Sequence, residues 1–250
     1  MKKLIYKFTI FKLCYLLFFI TIFSMCSSNS GTQETNSGIL LSFDDYFPEQ
    51  WEEHFDLFDK YNARVTFFVN GNSVTQFMLD AQKRGHEIGY HTISHPSLPA
   101  LTREQFLEET ISRIEVFSEH GINLTSFAYP YGRYELWMHD ELLEYYKIVR
   151  GFTVPAAGPN SFGPYEIADM KHGFINSKSI DNVYYNDIEF QQFIDEALQM
   201  AKASEDVIIT LTSHQISSTP HWGITPEKLE YLLKKGKEYG LTFYRYNELQ

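Results

Sequence analysis

The chain has 250 residues, 44% of them apolar and 21% charged, values of a globular protein with material for one domain of about 200 residues and its own core. Its formal net charge is −11; without the four lysines of the first twelve residues, 17 basic side chains face 32 acidic ones, a balance near −15. That excess excludes a nucleic-acid or polyanion partner and is compatible with neutral or amino-bearing glycans.

Residues 1–25 read as an export signal. Lys2, Lys3 and Lys7 precede an apolar run from Phe8 to Phe23 broken only by Lys12, and no acidic residue occurs before Glu34. The run is too short and too interrupted for a permanent membrane span. It ends Phe23-Ser24-Met25-Cys26-Ser27-Ser28, which looks like a lipoprotein cleavage box with Cys26 as the lipidated first residue of the mature chain. Phe23 and Met25 depart from the usual small and aliphatic choices, and the plainer alternatives are ordinary secretion or an uncleaved anchor. The only cysteines are Cys14 and Cys26, so the body has no disulfide and Cys26 is better used for attachment to a membrane. Residues 26–37, mostly Ser, Asn, Gly, Thr, Gln and Glu, form a flexible tether, and residues 38–250 form the folded body.

From Gly38 onward strands and helices alternate. Residues 38–43 are the first strand, 48–61 a helix with Trp51, Phe55 and Phe58 at helical spacing, and 64–69 a second strand. Residues 75–84 are helical up to Gly85, and 87–90 make a third strand. Thr102 with Gln105 forms a capping box opening a helix that carries Phe106, Leu107, Ile111, Ile114 and Phe117 and stops at Gly121. Residues 126–128 are a short strand, 135–146 a helix and 147–151 a strand. Residues 152–177 are loop-rich, with a short strand over 171–174; 188–203 are helical, 207–212 a strand, 226–239 a helix and 241–246 a last strand. Alternation without tandem strands predicts a mostly parallel sheet. Six or seven βα units, with no glycine-rich loop after the first strand, favour a barrel or incomplete barrel over a doubly wound sheet.

Two stretches carry the chemistry. Asp44-Asp45 closes the first strand, and His91-Thr92-Ile93-Ser94-His95-Pro96 follows the third. A carboxylate with two imidazoles is a common ligand set for zinc and similar divalent metals, and three protein ligands leave positions open for water and substrate. One aspartate is then left beside the metal as a base. Taken singly, Asp44-Asp45 reads as a strand-end cap and His91/His95 as a zinc site on a helix face, but Pro96 and the preceding strand argue against a helix there. Asp44, Asp45, His91, His95, Tyr131 and His214 all fall at or just past the C-terminal end of a predicted strand, the rim where barrels build their sites.

Over residues 38–246 the chain resembles the polysaccharide deacetylases, the NodB-homology domain of carbohydrate esterase family 4. The resemblance rests on Ser-Phe-Asp-Asp at 42–45, His-Thr-Ile-Ser-His-Pro at 91–96, Tyr-Pro-Tyr-Gly at 129–132 and Leu-Thr-Ser-His at 211–214, in family order. It implies a distorted or incomplete (β/α)7-type barrel, with 38–250 as the catalytic domain. Asp44 is then the base, Asp45, His91 and His95 hold Zn2+ (or Co2+ or Ni2+), the Tyr131 backbone N–H serves the oxyanion, and His214 is the acid. Tyr129, Pro130, Gly132, Leu211, Arg150 and Trp222 make up the substrate-binding set, Leu211 against the acetyl methyl. The family often carries an arginine two residues before the motif's proline to tether the base; Ala128 stands there, leaving Arg150, ahead of Arg133, as the substitute. Asp169 and Asp181 are the candidates for orienting His214, with Trp222 covering it, while His172 and His221 read as surface or rim residues.

The function this implies is metal-dependent hydrolysis of N-acetyl groups of a polysaccharide or oligosaccharide, at the cell envelope, with the acetylated glycan and a membrane reached through Cys26 as partners. No obligate protein partner is evident. The alternatives are an O-acetyl (xylan-type) esterase on the same site and a non-catalytic surface glycan-binding protein.

Overall fold

Both faces of Gly38–Phe43 are buried, as a run of Ile, Leu and Phe demands of a strand lined by a barrel centre on one side and helices on the other. This strand, β1, begins the fold in a computed structural model that describes residues 36–155, 166–169 and 171–249. The expected leader, Cys26 and the tether up to residue 35 lie outside the described residues. After β1 come β2 (Thr66–Val69), β3 (Glu87–Tyr90), β4 (Ser126–Ala128), β5 (Ile148–Thr153), the two-residue β6 (Glu166–Ile167), β7 (Phe174–Ser179) and β8 (Ile208–Ser213). The strands β1-β2-β3-β4-β5-β7-β8 lie side by side in parallel, and β8 returns to β1 with Gly38 opposite Ile208 through Phe43 opposite Ser213. Seven parallel strands thus close a ring, as the alternation of elements predicts.

The ring is distorted at two seams. β11 (Thr242–Tyr244) takes Gly38–Leu40 on the edge of β1 whose upper part, Ser42–Phe43, pairs with β2. On the other side β7 meets β8 only at Lys178–Leu211 and Ser179–Thr212, while β6 runs antiparallel to β8 at Ile209 and Thr210. Past β8, two short strands, β9 (Gln215–Ile216) and β10 (Gly223–Ile224), pair with each other.

The helices are α1 (Pro48–Glu52), α2 (Phe55–Tyr61), α3 (Gln76–Lys83), α4 (Arg103–Thr110), α5 (Ile114–Glu119), α6 (Leu136–Leu143), α7 (Asp187–Ala203) and α8 (Pro226–Glu238). Two expected single helices are each broken, for local reasons. At His54 the ring N–H donates to Gln50 O (2.7 Å), the carbonyl its own backbone N–H would use, and that N–H turns to Trp51 O (3.1 Å). Between α4 and α5 the hydroxyls of Thr110 and Ser112 donate back to Phe106 O (2.7 Å) and Glu108 O (2.5 Å), which weakens helix continuation. The strand expected at 171–174 is instead a tight turn at Lys171–Gly173, with His172 at φ 59°, and the strand proper is Phe174–Ser179. Among the described residues no helix is long and apolar enough to cross a membrane.

Candidate active site

The site sits where β1, β3, β4, β5, β7 and β8 end. Beyond Phe43 the backbone enters the left-handed region at Asp45 (φ 81°) and Tyr46 (φ 87°), and the two adjacent carboxylates meet different partners. Asp44 is buried and accepts a charge-assisted hydrogen bond from Arg150 Nη2 and a long one from Thr212 Oγ1 (3.5 Å). Asp45 faces the histidines: its Oδ1 lies 3.3 Å from His91 Nε2 and 3.1 Å from His95 Nε2.

His91 follows β3 directly, and its Nδ1–H donates to Ala128 O (2.8 Å) at the end of β4, which leaves the Nε2 lone pair toward Asp45. One donor atom from each of Asp45, His91 and His95 lies within 4.8 Å of the others. Burial alone would raise the Asp45 pKa, but the facing His91 and His95 imidazoles and the His214 charge hold it far below the usual carboxylate range. Asp45 Oδ1 is buried with no well-aligned hydrogen bond. Metal–ligand lengths of about 2.0–2.2 Å place neighbouring donors roughly 3–3.5 Å apart, so the carboxylate–imidazole set fits a divalent cation such as zinc. A buried oxygen without a proton donor, beside two imidazole nitrogens, is what such an ion would satisfy.

Opposite these residues, His214 follows β8. Its Nδ1–H donates to Asp181 Oδ2 (2.8 Å), and its Nε2 points into the site, 4.0 Å from Asp45 Oδ2. Asp181 is fully buried and accepts further hydrogen bonds from Ser213 Oγ (2.8 Å) and Ser179 Oγ (2.9 Å). Trp51 Nε1–H donates to the His214 carbonyl (2.8 Å), fixing the backbone that carries the ring. Burial would lower the His214 pKa; the charge and hydrogen bond of Asp181, then Asp44 and Asp45, outweigh it and raise it to about 9. Of the two aspartates considered, Asp181 is the one that meets His214.

A cavity of 460 Å³ joins the two sides, lined by Asp44, Asp45, His91, His95 and His214 with the rings of Tyr129, Tyr131, Phe152, Tyr184 and Trp222. Tyr131, in the left-handed region at φ 58°, packs edge-on against His95 (4.4 Å between centroids), and Trp222 lies edge-on to His214 at 6.4 Å. Gly132 lines the cavity too; a side chain there would strike Phe152. Three expected substrate-binding residues are placed elsewhere. Leu211 is fully buried in the core, Pro130 is buried beneath the turn, and neither lines the cavity. Arg150 is likewise fully buried, behind Asp44, with its guanidinium over the Phe68 ring (5.0 Å). Tyr129 turns its hydroxyl away to His139 Nδ1 (2.9 Å) and is only 1% exposed. Arg150 stands directly across the β4–β5 register from Ala128, one strand over from where the family's arginine is expected.

On sequence alone Phe152, Tyr184, Ser179, Ser213 and Trp51 have no role at the site, although Trp51 marks a helix and Ser213 stands inside the Leu-Thr-Ser-His motif. Phe152 was legible in principle, two residues beyond Arg150 on the same strand. Ser179 carries no local signal, since only the approach of β7 to β8 gathers it and Ser213 around Asp181. His172 is exposed on its turn, and His221 packs edge-on against Trp222 (5.4 Å) without lining the cavity.

Residues 32–146 match the family model described as polysaccharide deacetylase, a stretch that holds Asp44, Asp45, His91, His95 and Tyr131 but not Arg150, Asp181, His214 or Trp222. The peptidoglycan-N-acetylglucosamine deacetylase PgdA of Listeria monocytogenes is 28% identical over 114 residues, 44% of this chain and 24% of the relative. A bifunctional xylanase/deacetylase of Pseudobutyrivibrio xylanivorans is 30% identical over 116 residues, 43% of this chain and 19% of the relative. The chain therefore spans about a quarter or less of the length of these two relatives. The solved chitin deacetylase of Colletotrichum lindemuthianum superposes with a TM-score of 0.58 at 17% identity, covering 86% of this chain and 88% of the other, and shares its fold.

Proposed function

We propose that this chain, whose residues 32–146 match the polysaccharide deacetylase family model, is a metal-dependent hydrolase removing N-acetyl groups from the GlcNAc-type units of a glycan. The observation that carries this reading is one cavity gathering Asp45, His91 and His95 with Asp44 on one side and His214 on the other. A divalent ion held by Asp45, His91 and His95, with zinc as the first choice and cobalt or nickel as substitutes, would polarise the acetyl carbonyl and acidify a water.

The protein's own groups do the rest. Asp44, oriented by its hydrogen bond from Arg150, takes the proton of the water whose oxygen adds to the acetyl carbon. The Tyr131 backbone N–H serves the oxygen that gains charge; one such fixed donor contributes about 10²–10³ in rate in other hydrolases. The imidazolium of His214, oriented and kept charged by Asp181, gives its proton to the sugar nitrogen as the C–N bond breaks. Acetate and a free amino sugar leave. Trp222 and Tyr184 on one side and Tyr131 on the other offer faces on which a sugar ring can stack. The mature chain reaches its substrate after export, attached to a membrane through a lipid on Cys26.

Acetate release from a panel of acetylated glycans tests this. Zinc-loaded enzyme should release acetate from N-acetylglucosamine oligomers or peptidoglycan, and a chelator should abolish it. Asp44→Asn should lower kcat by about 10²–10⁴ with zinc still bound, whereas His91→Ala should lose both. Retained turnover in Asp44→Asn removes it as the base.

The similarity to the xylanase/deacetylase favours a second reading, removal of O-acetyl groups from xylan at the same site. An amine must be protonated to leave and an alkoxide much less so. His214→Ala should therefore cripple amide hydrolysis and impair ester hydrolysis only mildly, which separates the two substrates.

A further inference from the structure

Between His91 and His95 the backbone follows a course that its residues do not favour. Thr92 (φ 75°) and His95 (φ 58°) both occupy the left-handed region, where a β-branched residue is an outlier and strain of about 1–3 kcal/mol persists only if the surroundings hold it. The start of the loop is held from the turn just past β2, by Asn70 Nδ2 donating to His91 O and Gly71 N–H donating to Thr92 O (3.1 Å). Inside the loop Thr92 Oγ1 accepts the His95 N–H (2.9 Å). The middle is held by one carboxylate from another element. Glu109 Oε2 accepts the N–H groups of Ile93 (3.0 Å) and Ser94 (2.9 Å), and its Oε1 accepts the Ser94 hydroxyl (2.7 Å). Its backbone carbonyl also faces the Ile93 N–H (3.2 Å).

The position of Glu109 in its own helix makes this informative. It lies in the last turn of α4, next to Glu108, where the helix dipole disfavours negative charge and nothing in the helix gains from a second acid. What the carboxylate serves is the loop, and the loop carries both imidazoles that converge on Asp45 Oδ1. We propose that Glu109 is a positioning residue of the metal centre, setting the turn at Thr92–Ser94 so that His91 Nε2 and His95 Nε2 face Asp45 together. This rests on the reading of Asp45, His91 and His95 as metal ligands.

The test is metal affinity rather than turnover. Zinc and cobalt dissociation constants are measured by competition with a chromophoric chelator for the wild type, Glu109→Ala and Glu109→Gln, with the cobalt visible spectrum and the thermal midpoint of each metal-free protein. Glu109→Ala should bind both ions about 10–100-fold more weakly, the range for loss of groups that orient metal ligands, and should change the cobalt spectrum. Glu109→Gln, which keeps one carbonyl acceptor for the two N–H groups, should recover most of the affinity. If Glu109→Ala does not fold, Ser94→Ala, which removes the hydroxyl that Glu109 Oε1 accepts, takes its place, and a loss beyond threefold at an unchanged metal-free midpoint supports the proposal. Wild-type affinity in the variants overturns it, as does a lowered metal-free midpoint with unchanged zinc affinity, which marks a purely structural anchor. A wild type that binds neither ion removes the metal-centre reading itself.

Discussion

Arg150 and Asp181 are the buried charged partners of Asp44 and His214, the proposed base and acid. Both are fully buried, and each spends its charge on one partner. Arg150→Met would leave the Asp44 carboxylate buried and uncompensated, a situation that costs about 3–5 kcal/mol when one member of a buried pair is removed. Chemical denaturation should show that loss, and Asp44→Asn in the same chain should restore part of it, because the orphaned charge is then gone. Equal stability of the single and double variants would contradict the pairing. Asp181 acts on His214 in the opposite sense. The His214 pKa is raised to about 9, so the protonated ring persists through neutral pH and the rate should fall on the alkaline side as that proton is lost. Asp181→Asn removes the largest raising influence and should move the alkaline limb of kcat/KM to lower pH. A limb that stays in place means that His214 is not the group titrating there.

At the scale of elements, the site depends on how closely β3 approaches its neighbours. Gly89 lies two residues before His91, and a Cβ there would come within 2.5 Å of the Phe68 ring and 2.7 Å of Ser126 Oγ. Gly89→Ala should therefore push β3 off its register, costing about 1–3 kcal/mol in urea denaturation and weakening zinc binding along with it. Unaltered stability would show that the strand can absorb a methyl group. The elements also show where local patterns suffice. β1, β3 and β4 lie where their apolar runs put them, and Thr102 and Gln105 exchange the hydrogen bonds of a capping box. The Phe174–Ser179 strand was illegible because its inward positions include Ser177 and Ser179, and polar residues carry no hydrophobic signature. Ser179 is nevertheless buried, because the barrel interior there holds Asp181, to which Ser179 and, from β8, Ser213 donate.

For the whole molecule, acid should be the destabilising extreme. His86 is packed against Phe55, Phe58 and Phe67, and burial first, then the Arg84 and Arg245 charges, depress its pKa from 6.5 to about 3. The native ring stays neutral while the unfolded chain takes up a proton below about 6.5. Between about pH 3 and 6.5 the unfolded state thus holds one more proton, and stability declines as pH falls, by about 1.4 kcal/mol per pH unit at most for this group. Urea unfolding at several pH values should give that slope for the wild type and a shallower one for His86→Gln.

Sequence alone determined the alternation that makes a parallel barrel and the short motifs that put two carboxylates and two imidazoles at strand ends. Those are short-range features, written in apolar periodicity and in spacings of one to four residues. Tertiary structure alone decided that Arg150 reaches Asp44 across 106 positions, that Asp181 meets His214, and that Leu211 and Pro130 stay out of the cavity. Those outcomes depend on strand register and on which side chains point inward once β8 closes on β1, and no local pattern encodes either.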